Sequence, residues 1–478
     1  MPRCLTAGYP APADRAPGAA ASGVRGRLIR GFGATALGPV VAGLVQVVTV
    51  PILLRAWGAA LYGTWLVLSA IPGYLALSDV GFGTVAANEM TIRVAAGDRR
   101  GALAVFQSTW VLVTLLTVVI GLAVAAAAAL LPVSPLMTGP AATASQVRAT
   151  FVLLSISALI AIQNTLILAG FRCNGRFASG GLILASARLT DALILAGVAG
   201  AGGSLVMAAA TGLAARVATT LMFAFLMLRA TPWLAFDVRY ASAGSVRALL
   251  RPAAAFMAFP AADAISLQGM ILVVGAVLGP VSAAGFSTMR TLTRFALQCV
   301  EAVKKSFWPE MSMAYGAGNG KLARTLHRYA CQYALLLSLA AIAVLSTTGH
   351  GIYTMWTHGR LAFQPSTFYL LLALVACNSL WSASSIATMA ANRHVRCGAV
   401  FLGTAILSVA LALPAVRRLG TAGAAAALLV ADLSMGWYVI YLSLATLGER
   451  PADFARGLFS GRALLSITGR WRHADAHR

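Results

Sequence analysis

Apolar stretches of membrane-crossing length recur along the whole chain, separated by short polar turns rich in glycine and arginine. A bilayer core of about 30 Å takes about 20 apolar residues as helix, so each stretch predicts one spanning helix. In order they fall at about 32–54, 62–88, 103–131, 149–170, 177–199 and 204–228. After a polar connector they resume at about 253–278, 286–303, 329–347, 365–390, 398–414 and 421–446. The expectation is an all-α integral membrane protein of about twelve transmembrane helices. It divides into a basic, disordered tail (1–30), a six-helix lobe (31–228), a connector (229–252), a second six-helix lobe (253–446) and a basic tail (447–478).

The two halves echo one another. The turn Trp57-Gly58 to Tyr62-Gly63 after the first span has a counterpart in Leu278-Gly279 to Ala284-Gly285 after the seventh. Asn174-Gly175-Arg176 after the fourth likewise matches Ala391-Asn392-Arg393 after the tenth. With an even number of spans in each half, the repeats run in the same orientation, related by an axis along the membrane normal, with a central cavity between them.

Composition agrees with this reading. Hydrophobic residues make up 59% of the chain, charged residues 10%, and mean hydropathy is +0.82. Soluble domains carry about a quarter charged residues. No polar stretch is long enough for a soluble catalytic domain. A net charge of +23 first suggests nucleic acid, but the placement of the charges excludes it. Of 36 Lys and Arg, Arg188, Arg216, Arg290 and Arg294 fall within spans, Arg55, Arg148, Arg360, Arg417 and Arg418 lie on one side, and the remaining 27 on the other. That asymmetry follows the positive-inside rule and puts both termini in the cytoplasm. Residues 1–24 lack the apolar core of a signal peptide. The six cysteines are scattered with no metal or redox spacing, and no histidine lies clearly within a span, so neither a metal site nor a catalytic residue is expected. Tyr353 and Trp356, in the longest outer loop, are expected to anchor at the membrane interface.

The charges inside spans carry the candidate chemistry. In Phe286–Glu301, Ser287, Arg290, Arg294 and Glu301 share one side of a helix. An arginine at mid-span costs about 2.5–3.5 kcal/mol on insertion scales, so two of them should face water or a counter-charge rather than lipid. Arg290, about a turn from the outer end, can also snorkel to the interface; Arg294 is too deep for that. The pair can form an anion site or be neutralised by acidic groups on neighbouring helices. Arg188 and Asp191, three residues apart, can neutralise each other, while Arg216 can line the cavity or meet a carboxylate on another helix. Asp263 and Asp79 are the candidates for coupling to H+ or Na+, since an isolated carboxylate in low dielectric readily takes up a proton. Asp263 can instead pair with Arg290 or Arg294, Asp79 can cap local backbone, and Asp432 reads as a packing or hydrogen-bonding residue.

The segment VPILLRAWGAALYGTWLVLSAIPGYLALSDVGFGTVAANEM resembles the first two helices of bacterial polysaccharide-repeat flippases, which belong to the multidrug/oligosaccharidyl-lipid/polysaccharide (MOP) exporter superfamily. VLGPVSAAGFSTMRTLTR is similar to the turn between the seventh and eighth helices of the same family. The resemblance implies two six-helix lobes around a central cavity and transport of undecaprenyl-pyrophosphate-linked oligosaccharide to the outer leaflet of the bacterial inner membrane by alternating access. It also implies that arginines of a cationic cavity, here Arg290 and Arg294 with Arg188 and Arg216, engage the pyrophosphate and sugars. Implied partners are the lipid-linked substrate, the membrane and other polysaccharide-assembly proteins; no resident cofactor is implied. Two alternatives stand beside it: a multidrug extruder of the same fold, and a membrane polymerase or acyltransferase. The short outer loops and the missing His/Asp cluster weigh against an enzyme.

Overall fold

The computed structural model describes residues 17–75, 81–130, 143–391 and 394–458. Within them the chain is all helix. α1 (Pro17–Leu75) is bent at Gly58; α2 (Phe82–Ala95), α3 (Arg99–Leu130), α4 (Ala144–Cys173), α5 (Phe177–Gly200) and α6 (Leu205–Ala230) complete the first half. In the second half α7 (Ala243–Ala264) passes through a π-helical turn, Ile265–Gly269, into α8 (Met270–Leu278). α9 (Pro280–Gly316), α10 (Gly320–Thr357), α11 (Pro365–Ala390), α12 (His394–Leu419), α13 (Thr421–Leu447) and the short α14 (Pro451–Leu458) follow. Among the described residues ten helices are long and apolar enough to cross a membrane. α9 is not among them, because its two arginines depress its hydropathy. With α1 split at its bend and α2 continuing the second arm, the described residues form the twelve expected rods.

The bend explains the first repeat signature. Gly58 lies at φ 71°, ψ 177°, and Gly279, between α8 and α9, at φ 84°, ψ 171°. That region of backbone space is closed to side-chain-bearing residues, so the same glycine-only elbow sits at the same point of both halves. The turn expected to span several residues is therefore a single residue wide. Of the second signature, Asn392 and Arg393 lie outside the described residues, as does Asp79. α1 is helical from Pro17, inside the stretch expected to be disordered, where alanines favour helix.

A second difference concerns the longest outer loop. α10 runs on to Thr357, so Tyr353 (0% exposed) and Trp356 are not interfacial anchors. Gly349 lets α10 close on the Phe368 ring, where a Cβ would stand only 2.5 Å from ring carbon. Trp356 instead donates from Nε1 to the Val47 carbonyl of α1 at 2.8 Å.

We call the arginine- and lysine-rich side of the bundle its basic end and the opposite side its far end. One apolar cluster holds the first half together around Phe82, Met90, Phe106, Leu166 and Met227, and takes in Leu249 and Ala253 of α7. A second joins the halves: Leu53, Leu54, Trp57 and Tyr62 of α1 pack with α8, α9, α10, α11 and α13. There the chains cross almost backbone to backbone, since a Cβ on Gly63 would meet the Pro280 carbonyl. Arg360 Nη1 donates to the Leu54 carbonyl at 2.9 Å, capping the end of the first arm of α1 from the other half. Toward the basic end α2 and α3 meet the second half mainly through α7. The halves are thus joined most extensively at the far end.

Candidate functional site

Each lobe contains its own charged interior. In the second half, α9 carries Arg290 and Arg294 one turn apart, and both reach a narrow cleft of about 60 Å³. Asp263 and Ser266 enter it from α7 and the π turn, Asn378 from α11 and Asp432 from α13. The space admits a few waters or a bare ion, not a sugar. Arg290 is 8% exposed and donates from Nη1 to the Ser266 carbonyl at 2.7 Å. The wide π turn makes that carbonyl available, a common use of π turns at functional positions. Asn378 Nδ2 donates to Asp432 Oδ2 at 3.1 Å. Two guanidinium groups and two carboxylates share the cleft, so its formal charge balances. Three expected site residues, Arg290, Arg294 and Asp263, come together here. Arg290 does not snorkel to the far interface; its bond to the π turn holds it inward. Asp432, expected only to pack, is a member of the cleft.

In the first half a larger cavity, about 330 Å³, lies among α2, α4, α5 and α6. Its volume is at the lower end of ligand pockets. Gly83, Thr84, Asn164, Arg172, Arg188 and Arg216 line it. The lining of α4 runs from Ala161 down to Arg172 at the basic end, so the cavity occupies the basic half of the lobe. Asp191 does not pair with Arg188. It meets Arg216 across the helix interface, Nη2 to Oδ2 at 2.6 Å, because Arg216 faces α5 from α6. A contact between helices replaces the contact within one helix that spacing alone suggested. Arg188 then has no carboxylate within 4 Å among the described residues. Among the described residues Arg172, Arg188 and Arg216 bring guanidinium groups to this cavity, the last of them bonded to Asp191. Asn164 is 4% exposed and its Oδ1 has no hydrogen-bond partner, and neither has the buried Arg216 Nε. Asn164 stands out in the sequence as a polar residue inside an apolar run, but neither it nor Asn378 can be assigned a site without the packing.

A third cluster, at the basic end, has no signature in the sequence. Glu449, just past α13 and 8% exposed, accepts from Arg328 Nε at 2.5 Å. The buried His327 Nδ1 lies 3.8 Å from its other oxygen. Phe454 of α14 stacks on the His327 ring, and Gln332 Nε2 donates to the Gly457 carbonyl, so the cluster seats α14 on α10. Burial pushes the Glu449 carboxyl up, but the His327 ring and the Arg328 guanidinium outweigh it and hold it below the usual carboxylate range.

No family model matches the sequence, and no curated protein matches it. Solved structures do. A multidrug resistance MATE family transporter of the MOP superfamily, in an inward-facing conformation, superposes with a TM-score of 0.69 over 88% of this chain and 99% of its own, at 16% identity. A MOP superfamily transporter from Pyrococcus furiosus, described by the reverse polarity of its binding pocket, gives 0.63 over 89% and 96%, at 17% identity. A MATE protein in complex with MaL6 gives 0.62 over 91% and 97%, at 17% identity. The fold is that of the MATE and MOP transporters.

Proposed function

We propose that the chain is a flippase that carries undecaprenyl-pyrophosphate-linked oligosaccharide repeats across the bacterial inner membrane by alternating access. The observation that carries the reading is Arg188, on the wall of the first-half cavity at mid-span with no carboxylate within 4 Å among the described residues. Uncompensated guanidinium in a membrane interior is costly, and an anionic substrate supplies the missing charge. Guanidinium forks take phosphate oxygens two at a time. The basic end, cytoplasmic by the positive-inside rule, is the side on which such a headgroup is made, and the prenyl chain stays in lipid. The second-half cleft suits ion coupling instead, because Asp263 and Asp432, facing Arg290 and Arg294, form a site where H+ or Na+ changes the charge balance.

The second reading is a multidrug extruder, favoured by the multidrug resistance function of one structural neighbour. Amphipathic cations suit a cavity lined by the Arg188 and Arg216 guanidinium groups poorly. The test is delivery of the lipid-linked repeat to the outer leaflet in cells expressing the wild type, Arg188→Ala or Arg294→Ala. We expect delivery to fall at least tenfold in both at equal expression. Unimpaired delivery in the two variants, together with efflux of a cationic dye that depends on the protein, would establish the extruder instead.

A further inference from the structure

We infer that Arg290 is a positioning residue that locks the far side of the bundle shut through the π turn. The inference goes beyond the substrate reading and applies to a flippase and an extruder alike. Its basis is a run of close contacts between the halves, of which the crossing of Gly63 and Pro280 is only the first. From Gly63 onward the second arm of α1 runs antiparallel to α8. The contacts pair off in falling order: Gly63 with Pro280, Val67 with Gly275, Gly73 with Gln268 and Tyr74 with Gly269. A Cβ on Gly275 would stand 2.6 Å from Val67 Cγ2, one on Gly73 2.8 Å from Gln268 Nε2, and one on Gly269 2.9 Å from Tyr74 Oη. At each of these three steps a side chain of one helix fills the space that a glycine leaves on the other, so the seam interlocks.

The inner two steps fall on the π turn, Ile265–Gly269, near the middle of the span Met257–Leu278. Gln268 and Gly269 of that turn meet α1, while Ser266 and Leu267 line the second-half cleft. One five-residue element therefore touches both the seam and the cleft. Arg290 Nη1 holds it from the cleft side by the 2.7 Å bond to the Ser266 carbonyl. Among the described residues neither Asp263 nor Asp432 comes within 4 Å of that guanidinium, so the backbone bond is its anchoring contact. A π turn carries one residue more than an α turn and is the rarer geometry. Without the bond the surplus residue is free to travel along the helix, and each residue it passes turns by about 100°. Gln268 and Gly269 then leave Gly73 and Tyr74. The seam, released at its inner end, is left to the far-end contacts and opens more often.

The experiment labels a single cysteine, Val67→Cys at a position 4% exposed, in the otherwise cysteine-free full chain in cells, with a membrane-impermeant maleimide added from the far side. No substrate enters the assay, so its outcome is independent of the flippase reading. Arg290→Met is expected to raise the labelling rate about 5–10-fold, and Arg290→Lys, whose ammonium still donates to a carbonyl, to raise it less. Arg294→Met removes an equal charge from the same cleft and should leave the rate near its starting value. Gly73→Val, which displaces the Gln268 amide while Arg290 stays in place, should raise it too. A control cysteine at the fully buried Ala199 of the first half should stay slow throughout, which separates opening of the seam from general loosening. An equal rise in Arg294→Met would assign the lock to the charge of the cleft and overturn the role of the bond. Unchanged labelling in Arg290→Met overturns the inference outright. Should that variant fail to reach the membrane, the absence of a rise in both Gly73→Val and Arg290→Lys overturns it equally.

Discussion

Asp191 sits between two arginines and bonds only the one on the neighbouring helix. Removing its charge with Asp191→Asn leaves Arg216 as well as Arg188 uncompensated, and should lower the stability of the first lobe by about 1–3 kcal/mol. Thermal unfolding in detergent checks this, and the exchange Asp191→Arg with Arg216→Asp should recover part of the loss. Glu449 gives a second residue-scale expectation, this one in pH. Its folded pKa is depressed, so its contribution is present at neutral pH and is lost as pH falls through and below the ordinary glutamate value of about 4.3. Hydrogen exchange over 449–458, normalised to intrinsic rates, should therefore rise on acidification, and Glu449→Gln should show the raised exchange already at neutral pH. At this scale the sequence exposes which residues are out of place, because an arginine in an apolar run needs no structure to be noticed. It does not disclose their partners. Whether Asp191 turns to Arg188 or to Arg216 depends on the rotation of α5 against α6, and a single helix's periodicity is silent on that.

Among the elements, the two elbows are legible for the same reason: few residues can occupy φ near 70–85° with an extended ψ, and glycine advertises the position. The neighbouring glycines separate strain from space. A Cβ at Gly58 would meet nothing within 4 Å but would hold an unfavourable φ, whereas Gly63 has no room at all beside Pro280. Gly58→Ala should thus cost about 1–3 kcal/mol while keeping the fold. Gly63→Val should part α1 from α9 and reduce folded yield far more. Comparing melting temperatures and monodisperse yield separates the two. The end of α10 is not legible, because Tyr353 and Trp356 have the amphipathic character of interface residues and only the neighbouring half buries them. The π turn is equally hidden, since nothing in ISLQG marks a wider turn than an ordinary helix.

At the level of the whole molecule, the halves share a scaffold but not a charge. Arg216 and Asp432 each stand eleven residues after the first residue of their helices, Leu205 of α6 and Thr421 of α13, the last spans of the two repeats. The matching positions of the two repeats thus carry opposite charges. The far-end seam holds these interiors in register, and Arg360 is its single cross-lobe guanidinium contact to α1 among the described residues. Arg360→Ala should loosen that seam. With native cysteines replaced, a cysteine at the fully buried Ala284 should then react faster with a membrane-impermeant maleimide added from the far side.

The crossing of Gly63 and Pro280 also sets a mechanical ratio. α9 runs from Pro280 to Gly316, and the 29 residues up to Trp308, ahead of its interior proline, make a rod of about 44 Å at 1.5 Å per residue. Held at one tip, such a rod needs a tilt of only roughly 10° to sweep its free tip through about 8 Å. Displacements too small to disturb the pivot are magnified into the width of the opposite mouth, so one added methyl at the crossing can reset how wide a cargo the other end admits.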